Sequence, residues 1–338
     1  MKKSWLPLAV LALMAAGCSS GEDNLPVDLT DTPITVNASV NPISASLAMR
    51  SGGTGNAGDT GGDNSGSSST TTSDLPEKFY LKITNAVKTP NYCYDAVMKH
   101  PTGQTSWQSY TKADETAPLL MLWADSKTDV DVKASTFEIS DTAVPLSAAE
   151  DQSDEKNLKE SDHLMWDNPT QKPSTDGITV LFGHVMAKLN IIITLGNEYD
   201  STNPITSVTV GGTKVSGEFT RGGTTAGWDL SSVTATKSVK THYTADSFVA
   251  YNADTKAKAT AQYEAILVPQ TVAADGFYVE IVMNNNKTYK WTSKAEVTMA
   301  QGTAYNLELT AGKDKVESLG FSPVAWDAGN TGTDLATD

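Results

Sequence analysis

Basic residues are scarce in this 338-residue sequence, 25 against 40 acidic ones, giving a formal net charge of −15. Nucleic-acid binding needs Lys/Arg-rich faces that displace phosphate counterions, and adsorption to an anionic membrane surface needs the same charge, so the balance argues against both. Cysteine is nearly absent: Cys18 and Cys93 cannot build a disulfide scaffold. Arginine is rarer than lysine by an order of magnitude, with only Arg50 and Arg221. Charged residues make up only 19% of the chain, while Ser, Thr, Gly and Asn abound, the composition of an exported β-rich protein rather than a cytosolic helical enzyme. The apolar stretch Leu6–Ala16 is about eleven residues long, too short for a membrane span of roughly 20. At roughly 150 residues per domain the length predicts about two domains, with enough chain for a sizeable core.

The short apolar stretch has a different reading. Lys2 and Lys3 precede it, and the small residues Ala15, Ala16 and Gly17 follow it. A basic start, an apolar middle and a small-residue cleavage site describe a secretory signal peptide over residues 1–17. Cys18, directly after the small residues, resembles the lipobox of bacterial lipoproteins, although Ala15 stands where Leu is commoner. That resemblance implies a lipidated Cys18 as the first mature residue. Ser19 and Ser20 follow in lipoprotein style, and Gly21-Glu22-Asp23 resembles the signal that sends some Gram-negative lipoproteins to the outer face of the outer membrane. Cys93, flanked by Tyr92 and Tyr94, is expected as a buried small hydrophobe; only His100, seven residues on, offers it a base.

Period-two alternation at Ile34, Val36, Ala38 and Val40 predicts a strand within residues 34–49. Ser51 to Asp74 is a Gly/Ser/Thr/Asp/Asn tract with no aliphatic side chain larger than Ala57, and a tract that cannot bury apolar area predicts a flexible loop over 51–75. Strand-like pieces resume at Phe79–Ile83, Leu119–Trp123 and Asp129–Lys133. Leu146–Leu164 is acidic and reads as a helix or long loop. Pro169, Pro173 and Gly177 then mark a boundary. The expected first domain spans 76–173, completed by the 34–49 strand, and the second spans 174–312. The second half carries Ile178–Phe182, Lys188–Leu195, Ile205–Val210 with a Gly211-Gly212 turn, Ala265–Val268, Gly276–Met283, Thr288–Trp291 and Tyr305–Leu309. Asn284-Asn285-Asn286 predicts a hairpin. Short β-branched strands separated by Gly, Asn and Pro give an all-β fold of two β-sandwich domains.

Catalytic chemistry leaves no trace. His100, His163, His184 and His242 lack zinc-site spacing, and no nucleophile elbow, phosphate loop or dinucleotide fingerprint occurs. Gly52-Gly-Thr-Gly55 has no strand-to-helix frame around it. Asp129 and Asp131 share a strand face and, with the Asp151–Glu155 cluster, read as solvated acids rather than a Ca²⁺ site. His184 reads as structural. Trp107, Trp123, Trp166, Trp228, Trp291 and Trp326 read as core plugs, though exposed tryptophans would stack on sugars. No enzyme activity, cofactor or metal is expected.

Val180-Leu-Phe-Gly-His-Val-Met-Ala-Lys-Leu-Asn-Ile-Ile-Ile-Thr-Leu-Gly196 resembles the fimbrillin family of pilus proteins. So do Leu267-Val-Pro-Gln-Thr271, Tyr289-Lys-Trp291 and Gln301-Gly-Thr-Ala-Tyr305, and in the first half Trp123-Ala-Asp125 and Ser161-Asp-His-Leu-Met165. Over nearly the whole mature chain the order of these fragments matches. The resemblance implies two transthyretin-like Greek-key sandwiches in a lipoprotein precursor of the shafts, tips or anchors of surface fimbriae (type V pili). It further implies that an arginine-specific surface protease cuts after an N-terminal strand, here between Arg50 and Ser51, and that a C-terminal strand of the next subunit fills the groove left behind. The apolar residues beyond the last sandwich strand make the 313–338 tail the expected donor: Val316, Leu319, Phe321, Val324 and Trp326, with Leu319 and Phe321 on one face. The implied partners are other fimbrillin subunits (self or paralogues), the outer membrane through the lipid, that protease, and a host or bacterial surface receptor. The other expectation left open is a monomeric surface lipoprotein that binds glycans on exposed tryptophans.

Overall fold

The computed structural model describes residues 27–40, 75–85, 92–101, 106–197, 199, 202–222, 227–243, 247–312, 315–324 and 326. The first half forms β1 (Val36–Val40), β2 (Lys78–Asn85), β3 (Tyr94–Lys99), β4 (Gln108–Thr111), β5 (Val130–Ser135), β6 (Val144–Ser147), helix α1 (Glu155–Ser161), β7 (Leu164–Gln171) and β8 (Ile178–His184). Seven of these strands make one sheet in the order β1-β8-β7-β5-β2-β3-β4. Alternation sets its inner face: Phe79, Leu81 and Ile83 from β2, Val130, Val132 and Ala134 from β5, and Ile178, Val180 and Phe182 from β8 are all buried in one cluster. Phe79 packs edge-on against Trp107 at 4.6 Å and Phe182 at 5.1 Å. The sheet curls until its ends nearly meet. The segment after β4 returns Thr111 N–H to Ala117 O and Leu119 N–H to Ser109 O, and then pairs with the chain just before β1 through Ile34 N–H to Met121 O and Trp123 N–H to Thr32 O, each at 2.9 Å.

The second half forms β9 (Ala187–Thr194), β10 (Ile205–Thr213), β11 (Ser216–Thr220), β12 (Gly227–Asp229), β13 (Lys237–Lys240), β14 (His242–Tyr243), β15 (Thr260–Leu267), β16 (Gln270–Val272), β17 (Tyr278–Met283), β18 (Thr288–Thr292), β19 (Val297–Met299), β20 (Ala304–Ala311) and β21 (Val316–Val324). A four-stranded sheet, β13-β10-β17-β18, faces a five-stranded one, β14-β15-β9-β20-β21. Leu189, Ile191 and Ile193 from one and Val208, Val279 and Ile281 from the other share a dry core, so this half is a β-sandwich. Each such fully buried aliphatic side chain contributes about 1.5–3 kcal/mol. The hairpin at Asn284–Asn286 forms as expected, with Asn286 at φ 62 and Met283 N–H bonded to Lys287 O at 2.9 Å. The all-β expectation holds; the acidic stretch supplies the helix α1, capped by Asp154, whose carboxylate accepts from Lys156 N–H at 2.8 Å.

Three expectations are corrected. Gly211 and Gly212 do not form a turn but a bulge inside β10: the β10–β13 register slips between Gly211 and Thr213, Gly212 has φ +82, and a Cβ there would sit 1.9 Å from Gly276 O. Cys93 is exposed rather than buried, because its neighbour Tyr94 takes the inward position and alternation turns Cys93 out. Division at 173/174 falls inside the first sheet, since β8 pairs with β7 and with β1.

The halves are therefore interlocked. Val185 and Met186 alone separate β8 of one sheet from β9 of the other. β6 of the first half pairs with β11 of the second. The Gln152 amide accepts from Ile266 N–H and donates to Ile266 O, both at 2.8 Å. Phe137, Leu146, Leu158, Phe219 and Ile266 join Val185 and Met186 in a third cluster. Arg221, just past β11, reaches across to β5 and β7: its guanidinium pairs with Asp167, donates to Ala134 O at 3.2 Å and lies over the Phe137 ring at 5.5 Å, with 3% of the side chain exposed. Truncating one member of a buried pair strands the other, so Arg221→Ala is expected to lower unfolding free energy by about 3 kcal/mol in urea titrations. Arg221→Lys should recover only part of it, because an ammonium cannot reproduce the planar fork. A loss under about 0.5 kcal/mol for Arg221→Ala would show the clamp to be inert.

Candidate functional site

Two strands lie at the margins of the fold, each with one neighbour in its sheet. The first is β1. It runs parallel to β8 in the register Val36↔Ile178 through Val40↔Phe182, while β7 pairs with β8 only at Leu164↔His184 and Met165↔Gly183. β1 is therefore the neighbour with the longer ladder along β8. Val36 is buried, and Ala38 and Val40 are half-buried against the first core, confirming the described part of the expected alternation. Upstream, Leu29 is buried with its N–H on Ser126 Oγ at 2.6 Å, and Asp31 accepts from the Tyr92 hydroxyl at 2.6 Å. Cys18, Arg50 and Ser51 lie outside the described residues.

Gly177 shapes the entrance of this slot. Its φ is +75, and a Cβ would stand 2.2 Å from Thr35 O, the atom that accepts from Ile178 N–H at 2.8 Å. Gly177→Ala is expected to push the chain before β1 off β8, costing about 1–3 kcal/mol and raising amide hydrogen exchange over residues 34–40. Unchanged exchange there would mean that the close approach is dispensable.

The second strand is β21, on the free side of β20. The ladder slips between Glu308↔Gly320 and Leu309↔Ser318, which leaves Leu319 as an unpaired bulge residue, 62% exposed. Leu319 and Phe321 were expected on one face; the bulge separates them, and Phe321 instead stacks on Tyr305 at 5.0 Å with the rings 6° from parallel. Pro323, which has no N–H to give, sits at this outer edge opposite Tyr305. Val316, Phe321 and Val324 are half-buried and no residue of β21 is buried, whereas Trp326 beyond it is. In the single chain Val316 and Phe321 thus rest against their own second sandwich, Val324 and Trp326 against the cluster between the halves, and Leu319 faces out.

The remaining candidate residues do not converge. Asp131 faces out from β5, Asp151 accepts from Ser153 N–H at 3.0 Å, and no group of three His, Cys, Asp or Glu gathers as metal ligands would among the described residues. Burial pushes the His163 imidazole below its usual value, and His242 contacts Ser153 O at 3.1 Å. His184, Nδ1 on Asp162 at 2.9 Å, is structural as expected. A shallow cleft is lined by Glu77, Lys78, Lys99, His100 and Glu115, but hydrogen bonds from Lys99 and Lys78 hold the Glu115 carboxyl below the usual carboxylate range, so these three charges are already paired with one another. Trp107, Trp123 and Trp326 are buried and Trp166, Trp228 and Trp291 half-buried, so none of the six presents an exposed platform. No described helix is long and apolar enough to cross a membrane. The feature missed from sequence was the passage from β8 to β9, whose signal was the apolar run through Val185 and Met186 without a turn residue between the strands.

The fimbrillin-like family model matches residues 67–325. A candidate cell adhesion protein of Bacteroides ovatus is similar over 87% of this chain and 98% of its own, with 14% identity and a TM-score of 0.52. One from Bacteroides uniformis is 13% identical over 74% of this chain and 91% of its own, TM-score 0.48. The C-terminally truncated tip fimbrial protein Mfa3 of Porphyromonas gingivalis is 11% identical over 74% of this chain and 94% of its own, TM-score 0.42. No curated protein matches. Because the family match takes in every described strand from β2 to β21, the chain belongs to the fimbrillin-like family.

Proposed function

We propose that this chain is a polymerising subunit of a cell-surface fimbria, exported on the lipid of Cys18 to the outer membrane and assembled by proteolysis-triggered strand exchange. The observation that carries the reading is the position of β1. It lies between β8 and the outside, yet in sequence it joins the next described strand only through residues 41–77. A cut between Arg50 and Ser51 therefore severs β1 from the body without breaking any described strand. Its departure leaves the β8 edge with unpaired N–H and C=O groups beside an apolar slot, a template for an incoming strand. Apolar side chains at Val316, Phe321, Val324 and Trp326 make the 316–326 segment of a following subunit a fitting occupant. Such a head-to-tail contact does not close on itself and yields a filament.

The arginine count supports the processing step. Arg221 is the only other arginine, and its guanidinium is buried against Asp167. Arg50 is thus the arginine that this reading assigns to an arginine-specific surface protease. Other fimbrillin subunits, self or paralogues, are the partners, and adhesion to a host or bacterial surface receptor is the purpose. A glycan-binding monomer would need an exposed aromatic platform, and no described tryptophan supplies one. The reading assigns a structural role rather than catalysis.

Incubating purified precursor with an arginine-specific protease should give SDS-resistant ladders whose subunits begin at Ser51. Arg50→Ala should abolish both the cut and the ladder; ladders from that variant would overturn the processing step. Independently, metabolic labelling with a palmitate analogue should mark the wild type and not Cys18→Ala, and label retained on the variant would contradict the anchor.

A further inference from the structure

We propose that Trp326 is a latch that holds the C-terminal strand on its own sheet in the unassembled subunit. Its purpose rests on the strand-exchange reading above; its geometry does not. β21 is weakly secured for a nine-residue strand. It pairs on one side only, breaks register at Leu319, carries Pro323 and buries no side chain of its own. Apart from its ladder to β20, it is held by half-buried contacts of Val316, Phe321 and Val324, and an edge strand so secured belongs to the low-stability end of a fold. Yet two residues past its end, Trp326 is 6% exposed and belongs to the cluster between the halves, with Val185, Met186 and Ala304. Its indole stacks face to face on the His184 imidazole, centroids 3.8 Å apart and planes 18° from parallel.

His184 is built to be a seat. It is buried as the last residue of β8, and its Nδ1 donates to both oxygens of Asp162 at 2.9 and 3.0 Å. Asp162 is itself fixed as the C-cap of α1, its N–H on Lys159 O at 3.1 Å. The ring plane on which Trp326 lies is thus set from below by the carboxylate. The other ring nitrogen, Nε2, is buried with no hydrogen-bond partner among the described residues. The seat also stands two residues beyond Phe182, the end of the β1 ladder. The strand that would be donated is therefore pinned to the same β8 from which β1 would depart, and loss of β1 would loosen the seat as it opens the slot.

Hydrogen exchange with mass readout on the full-length, unassembled precursor tests this without requiring polymerisation. Trp326→Ala should speed exchange across residues 316–324 by about tenfold or more while β10 and β17 stay within about twofold of wild type. Trp326→Phe, which keeps a flat ring for stacking, should restore most of the protection. If Trp326→Ala fails to fold, Trp326→Leu replaces it under the same criteria, since it keeps apolar volume and loses the stacking face. Exchange over 316–324 within about twofold of wild type would overturn the latch. So would acceleration spread evenly through the second sandwich, which would make Trp326 an ordinary core residue. Ladder formation after proteolysis is read separately: a working latch in a chain that never polymerises would sink the strand-exchange reading and leave the contact intact.

Discussion

A strand whose outer side has to be covered governs this fold. β8 buries Ile178, Val180 and Phe182 on one side, yet β7 pairs with it at only two positions. Buried or half-buried N–H and C=O groups cost free energy when left unpaired, and an apolar edge left open invites another chain. The protein meets this demand with β1, drawn from residues far upstream and laid parallel to β8. A parallel neighbour cannot come from a tight turn, so a long connection is obligatory. On the strand-exchange reading proposed above, a cut in the chain that follows β1 is what would free it.

The same strand explains why the two margins of the molecule are physically linked. β8 leads through Val185 and Met186 into β9, β9 pairs in parallel with β20, and β20 carries β21. The slot and the terminal strand thus hang on one stretch of chain, Ile178 to Thr194. Around its midpoint the β6–β11 pairing, Gln152 and Arg221 cross between the halves. On the strand-exchange reading proposed above, such a connection would carry load between the subunit's neighbours.

What was legible in the sequence was local. The strand-like piece Phe79–Ile83, the hairpin at Asn284–Asn286 and the alternation at Val36 and Ala38 depend on neighbours within a few residues, and they formed as expected. Features set by distant pairing were misread. Pro169, Pro173 and Gly177 suggested a boundary, but β8 is claimed by β1, more than a hundred residues away in sequence. Gly211-Gly212 and Leu319 were given ordinary turn and strand roles because a bulge is defined by the partner's register, which no single strand reveals. The tryptophans were read correctly as packing residues, whereas the seat of Trp326 on His184 joins positions 142 residues apart that carry no shared pattern.

The central claim is that a strand from one subunit replaces β1 beside β8 of another. Disulfide trapping reads that directly. In a Cys93→Ser background, Leu181→Cys on the outward side of β8 is combined in turn with a cysteine at each of positions 316–324, in separate chains distinguished by mass. Strand replacement predicts inter-chain disulfides with an every-second-residue pattern, appearing only after removal of the segment up to Arg50. Inter-chain bonds that form equally before processing, or no bond at any position in assembled material, would contradict it.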